Sequence, residues 1–204
     1  MVAFRAANRA RFAGYHNAPV DSFGPAAARL LVVGLAPGLR GANRTGRPFT
    51  GDAAGELLYP TLIAHGFARG TYRARPDDRL ELVSCRITNA VRCVPPNNKP
   101  TGAELRACRG FLAAEIAAMP ELRAVLALGR IAHDAVLAAL GLGRASTPFA
   151  HGARHALASG QALFDSYHCS RLNLNTGRLT PAMFDAVIAR VRADLALLRQ
   201  KVSL

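Results

Sequence analysis

Three segments of this 204-residue chain carry side chains whose types and spacing suit chemistry on a bound ligand. The first, GLAPGLRGANRTGRPFTGD, occupies residues 34–52. Its glycines let the backbone approach a ligand closely, and Arg40, Arg44 and Arg47 supply positive charge. It lacks the Gly-Lys-Ser/Thr ending of a P-loop, so it is not a nucleoside-triphosphate cradle of that type. Phe49 offers a flat face for stacking, or serves as an ordinary core aromatic. Asp52 suits a water-orienting carboxylate, and equally the N-cap of a helix opening at Ala53. The second segment, ITNAVRCVPPNNKPT, occupies residues 87–101. In it Asn89 presents both an amide donor and an acceptor, although a strand-end Asn commonly forms a turn. The third, SYHCSRLNLNTGRLT, occupies residues 166–180. Its His168 is a hydrogen-bond donor for charge developing on a leaving group, or a strand-end His satisfied by the backbone.

The elements around these segments follow from apolar spacing. Residues 29–36 form a continuous apolar run of strand length, of the kind that suits a central parallel strand covered on both faces. A strand is predicted at 86–91, a third at 124–128 and a fourth at 162–167. Helical spacing recurs at 53–65, at 101–119 and at 131–140. Thr101 and Glu104 form a capping box for the second of these helices. A last helix takes Thr180 as N-cap and Pro181 as its first residue, with Phe184, Val187, Ile188, Val191, Leu195 and Leu198 on its buried stripe. Strands alternating with helices predict one α/β domain over residues 1–204, three-layered α/β/α around a central four-stranded parallel sheet. Residues 1–28 contribute an N-terminal helix and an irregular segment. Functional loops in such sheets lie beyond the carboxyl ends of the strands, where all three segments fall.

Composition narrows the partners. The formal net charge is +13, and the only lysines are Lys99 and Lys201. An arginine field of this size attracts polyanions, although an Ala- and Arg-rich chain also reflects a GC-rich genome. No apolar run is long enough to cross a bilayer, so no membrane partner is expected. Cys85, Cys93, Cys108 and Cys169 do not resemble a secreted disulfide framework. The basic N-terminus weakly mimics a transit peptide, but a basic helix of a cytoplasmic protein is the plainer expectation.

Taken as whole strings, the three segments resemble, in order, the conserved blocks of family 5 uracil-DNA glycosylases: motif 1 at 34–52, the next block at 87–101, and the His-containing motif 2 at 166–180. The resemblance implies a DNA repair enzyme that hydrolyses the N-glycosidic bond of uracil and other deaminated bases and leaves an abasic site. The alternative is a non-catalytic binder of damaged DNA that keeps the fold. It further implies a monomer acting on DNA in the nucleoid region of the cytoplasm.

By this resemblance Phe49 stacks on an everted base, Asn89 pairs with O4 and N3–H of uracil, and His168 donates to O2. Asp52 orients water. Gly34, Leu35 and Ala36 line the base site, with apolar Leu35 where other families place a water-activating polar residue. Arg44, Arg47, Arg171 and Arg178 hold DNA, Arg171 also suiting the space that the base vacates. His151 and His155 stand at a spacing used by metal pairs, but no Glu completes a zincin pattern, so a structural or DNA-backbone role is expected. Only Lys99, Lys201 and the α-amine offer a Schiff-base nucleophile, so a monofunctional enzyme is expected. Cys93 and Cys108 match the second half of a four-Cys 4Fe-4S site, whose N-terminal Cys-x-x-Cys half is absent from this chain. Either the chain begins late, as its first five residues suggest, or it lacks the cluster; Cys93 and Cys108 are otherwise buried small residues. Cys169 stands where many relatives carry Pro, which alters loop rigidity.

Overall fold

In the computed structural model the backbone is described for residues 2–200 and side chains for residues 2–197. The side chain of Leu198 and the whole of Lys201 lie outside the described residues. The elements run α1 (Val2–Arg11), β1 (Leu30–Gly34), the single-turn α2 (Ala42–Thr45), α3 (Ala53–Ala64), β2 (Ala68–Arg69), β3 (Glu81–Leu82) and β4 (Cys85–Asn89). They continue with α4 (Gly102–Ala117), β5 (Ala124–Leu128), α5 (Arg130–Ala139), β6 (Arg154–Ala156), β7 (Ala162–Ser166), α6 (Arg171–Asn175) and α7 (Pro181–Gln200).

The main sheet has the order β4-β1-β5-β7-β6. Its first four strands are parallel, and all five residues of β1, β5 and β7 are buried. Alternate residues face opposite layers, as the pleat requires. Leu30, Val32, Leu126 and Phe164 pack on α3 and α7, whereas Leu31, Val33, Val125 and Leu163 pack on α4 and α5. The expected three-layer α/β/α domain is therefore present.

The sheet carries five strands rather than four. β6 pairs antiparallel with the edge of β7, and its Arg-His-Ala sequence has no apolar alternation to announce it. The ladder offered by β7 sets it, not propensity. A two-stranded β2–β3 hairpin and the short α6 also lie in stretches without clear periodicity.

Helix starts follow the local signals. Asp52 caps α3 by accepting from the Ala54 and Gly55 amides, and Thr101 with Glu104 completes the capping box of α4. Thr180 Oγ1 accepts from Met183 N at 3.2 Å. Each cap is worth about 1 kcal/mol, and together they fix where the loops above the sheet end.

Candidate active site

β1 and β4 lie side by side in register, with Gly34 opposite Asn89. A Cβ built on Gly34 would sit 2.4 Å from Asn89 Oδ1 and 2.4 Å from Phe49 Cζ. Only glycine leaves room at this strand end for an amide and an aromatic ring to converge. Phe49 in turn faces His168, with ring centroids 5.9 Å apart and planes inclined by 29°. Side chains from residues 49, 89 and 168 thus meet in one slot above the sheet.

Phe49 occupies the left-handed region, at φ +52°, which a bulky residue adopts only under external constraint. The constraint is visible on each side of it. Tyr72 Oη donates to Phe49 O at 3.2 Å, and Tyr59 Oη donates to Pro48 O at 2.5 Å. Thr45 Oγ1 donates to Thr50 O at 3.0 Å. Gly55 permits this crossing, because a Cβ there would fall 1.8 Å from Phe49 O. Strain of this kind costs about 1–3 kcal/mol and persists where surrounding structure over-determines it.

His168 leaves the carboxyl end of β7 beside Gly129, which adopts φ +96° and whose added Cβ would lie 3.5 Å from the His168 Cβ. Asn173 Nδ2 donates to His168 O at 2.8 Å, and Ser170 caps α6 directly after it. Burial lowers the imidazole pKa to about 4, so the ring is neutral at physiological pH. A neutral imidazole carries one N–H to donate.

Asp52 is the N-cap of α3, through Oδ1. Its other oxygen lies beneath the first loop, since a Cβ on Gly41 would be 2.1 Å from Oδ2. Burial raises its pKa, against the lowering effect of the two cap amides.

The sequence model of the uracil DNA glycosylase superfamily matches residues 22–192. The chain is 49% identical to the type-5 uracil-DNA glycosylase of Thermus thermophilus over 178 residues, 87% of this chain and 81% of the relative. It is 44% identical to the type-5 uracil-DNA glycosylase of Pyrobaculum aerophilum, over 88% of this chain and 78% of that one. This chain belongs to the type-5 uracil-DNA glycosylase family. A type-4 uracil-DNA glycosylase of Pyrobaculum aerophilum is more distant, at 34% over 62% of this chain and 57% of its own.

In this uracil-DNA glycosylase the arginines divide. Arg44, Arg171 and Arg178 are exposed, the last with its guanidinium 4.7 Å from the Tyr167 ring centre. Arg47 is not available to DNA. It is buried, grips Asp78 with both terminal nitrogens at 2.7 and 2.8 Å, and donates from Nε to Thr50 Oγ1 at 2.8 Å. A guanidinium so paired is a strut under the Phe49 turn, which corrects its assignment as a phosphate contact. Nothing in the first segment reveals this, because Asp78 lies 31 residues away.

Leu35 and Ala36 continue from Gly34 as half-buried residues. Val91 N donates to Leu35 O at 3.1 Å, which carries the β1–β4 alignment past the slot. Leu172 was not picked out by the sequence, yet it is 72% exposed on α6 beside the His168 loop. Its place in a five-residue helix gives no periodic pattern to detect.

Cys93 is half-buried and accepts from Arg5 Nη1 at 3.2 Å, while Cys108 is buried on α4. Cys85 and Cys169 belong to the core on the α3–α7 side. Among the described residues no third Cys, His or carboxylate stands with Cys93 and Cys108. A four-thiolate cluster takes two ligands more than this pair supplies.

Proposed function

We propose that this chain hydrolyses the C1′–N1 bond of deoxyuridine in DNA, releasing uracil and leaving an abasic site. The observation that carries this reading is the glycine-made slot in which Phe49, Asn89 and neutral His168 converge. The everted base stacks on Phe49, and Asn89 reads its edge with one donor and one acceptor. As the bond breaks, its electron pair stays on the base, and the His168 N–H stabilises the charge gathering on O2. Water adds to C1′ of the cationic sugar and loses a proton. In this reading Asp52 orients that water through Oδ2, the oxygen not engaged in capping.

Arg44, Arg171 and Arg178 hold phosphates, and exposed Leu172 fills the gap left in the stack, as apolar wedges do. Deaminated purines belong to the same proposal, since a slot defined by one ring and one amide tolerates several flat bases. Cys93 and Cys108 would supply half of a cluster site, and no step above runs through such a group.

The test is incubation with a uracil-containing duplex followed by alkali. Strand breaks at uracil are expected only after alkali, with no borohydride-trapped adduct, because Lys99, the one lysine among the described residues, is exposed on a loop. Intact strands at saturating protein would make the chain a binder of damaged DNA instead. Gly34→Ala is expected to lower the single-turnover rate by roughly 100-fold, since a shift of about 1 Å in positioning groups has that effect. A crystal structure of that variant should show Phe49 or Asn89 displaced; wild-type rates would contradict the slot.

A further inference from the structure

Three histidines gather beside β7, His133 from α5 and His151 and His155 from the segment between α5 and β7, and two of them lie on one buried carboxylate. Asp165, on β7, accepts from His133 Nδ1 at 2.7 Å through Oδ1 and contacts His155 Nε2 at 3.3 Å through Oδ2. His133 Nε2 meets Thr147 O at 2.8 Å. Both ring nitrogens of His133 thus face oxygen atoms. Burial opposes a charge on His133, but the hydrogen bond and the charge of Asp165 outweigh it and raise the pKa. His133, from the first turns of α5, therefore clamps residue 147 to the strand that leads to His168.

The clamped segment is tied again further on. Gly152 N donates to Asp165 O at 2.8 Å, Asp165 N donates to Ala153 O at 3.1 Å, and Arg190 Nη1 from α7 donates to Gly152 O at 2.5 Å. Between these anchors stands His151. Its Nδ1 accepts the Tyr167 amide at 3.2 Å, and its ring stacks on the Tyr167 ring, with centroids 5.0 Å apart and planes inclined by 16°. The residue after Tyr167 is His168.

We propose that His151 is a positioning residue for His168: by holding the Tyr167 amide it sets the direction in which the chain delivers the next side chain. The inference rests on the role of His168 given above. His151 touches neither base nor sugar. The Tyr167 N–H can donate only to an unprotonated Nδ1, and burial lowers the pKa of the ring in the same sense. The charged groups on its neighbours are Arg178, over the Tyr167 ring, and Arg190, on the Gly152 carbonyl.

The experiment compares His151→Leu and His151→Asn in single-turnover excision from a uracil-containing duplex, with duplex affinity, Tm and hydrogen exchange of the Tyr167 amide. Leu removes the acceptor, and its rate is expected to fall roughly tenfold at unchanged affinity, as for a modest misplacement of a catalytic group. Asn can present its Oδ1 where Nδ1 stood, and is expected to restore most of the rate and the amide protection. If the Leu variant does not fold, His151→Ala takes its place. A wild-type rate in the variant lacking the acceptor overturns the proposal, and so does an Asn variant as slow as Leu. His168→Ala is run alongside. Full activity there would remove the role of His168 itself, whereas a slow His168→Ala beside an unimpaired His151→Leu removes only this inference.

Discussion

His168→Ala is expected to cut the single-turnover rate of uracil release by roughly 10²–10³-fold, the effect of deleting one donor to a developing anion. Duplex affinity should change little, because the hydrogen bond strengthens as charge moves onto the base and so acts mainly on the transition state. The geometry supports a donor of this type. The imidazole is half-buried and neutral and lies 5.9 Å from Phe49 centroid to centroid, and the backbone carbonyl of His168 is held by Asn173. A variant that releases uracil within tenfold of the wild-type rate would sink the assignment.

A second readout comes from pH. The His168 pKa is about 4 in the fold, against about 6.5 for an unperturbed His. The unfolded chain thus binds this proton first as pH falls. The stability contributed by keeping the ring neutral is present above pH ~6.5 and is lost progressively as pH drops through about 4. His168→Ala should flatten that part of the dependence of Tm on pH.

The second large effect is on stability. Asp78→Asn is expected to destabilise the fold by about 3–5 kcal/mol, the usual result of breaking a buried ion pair from one side. The Asp78 side chain is fully buried and that of Arg47 nearly so. Besides Arg47, the carboxylate accepts from the Arg73 and Leu80 amides. Burial opposes its charge, but Arg47 and these amides hold its pKa down to about 2. Its contribution is therefore complete above the unfolded value of about 3.9 and disappears as pH falls through about 2.

The loss should reach the site as well. Arg47 lies 5.1 Å from the Phe23 ring centre and 5.5 Å from that of Tyr59, and supports Thr50 next to the left-handed Phe49. Without its counter-ion the guanidinium must seek water, and the strained turn loses its footing. Urea unfolding at pH 7 measures the first effect and uracil affinity the second. A change below about 1 kcal/mol, the range of exposed pairs, would show that the fork is not a strut.

The sequence alone determined the four parallel strands and the long helices between them, their three-layer arrangement, and the loops that carry Phe49, Asn89 and His168. These features are local. Apolar runs such as Leu30–Gly34 are long enough to declare a buried strand, and Asp52, Thr101 and Thr180 sit immediately before the helices they cap. What only the tertiary structure decided involves partners far apart in the chain. Arg47 looks like a phosphate ligand until Asp78 is folded against it, and Phe49 takes a left-handed backbone only because Tyr59 and Tyr72 hold its carbonyl neighbours. His151 and His155 look like a metal pair by spacing, but one stacks on Tyr167 and the other turns to Asp165. The physical reason is that hydrophobic period and capping act over one or two turns of chain. A buried charge or donor is assigned its partner by packing, which nearest neighbours in sequence do not encode.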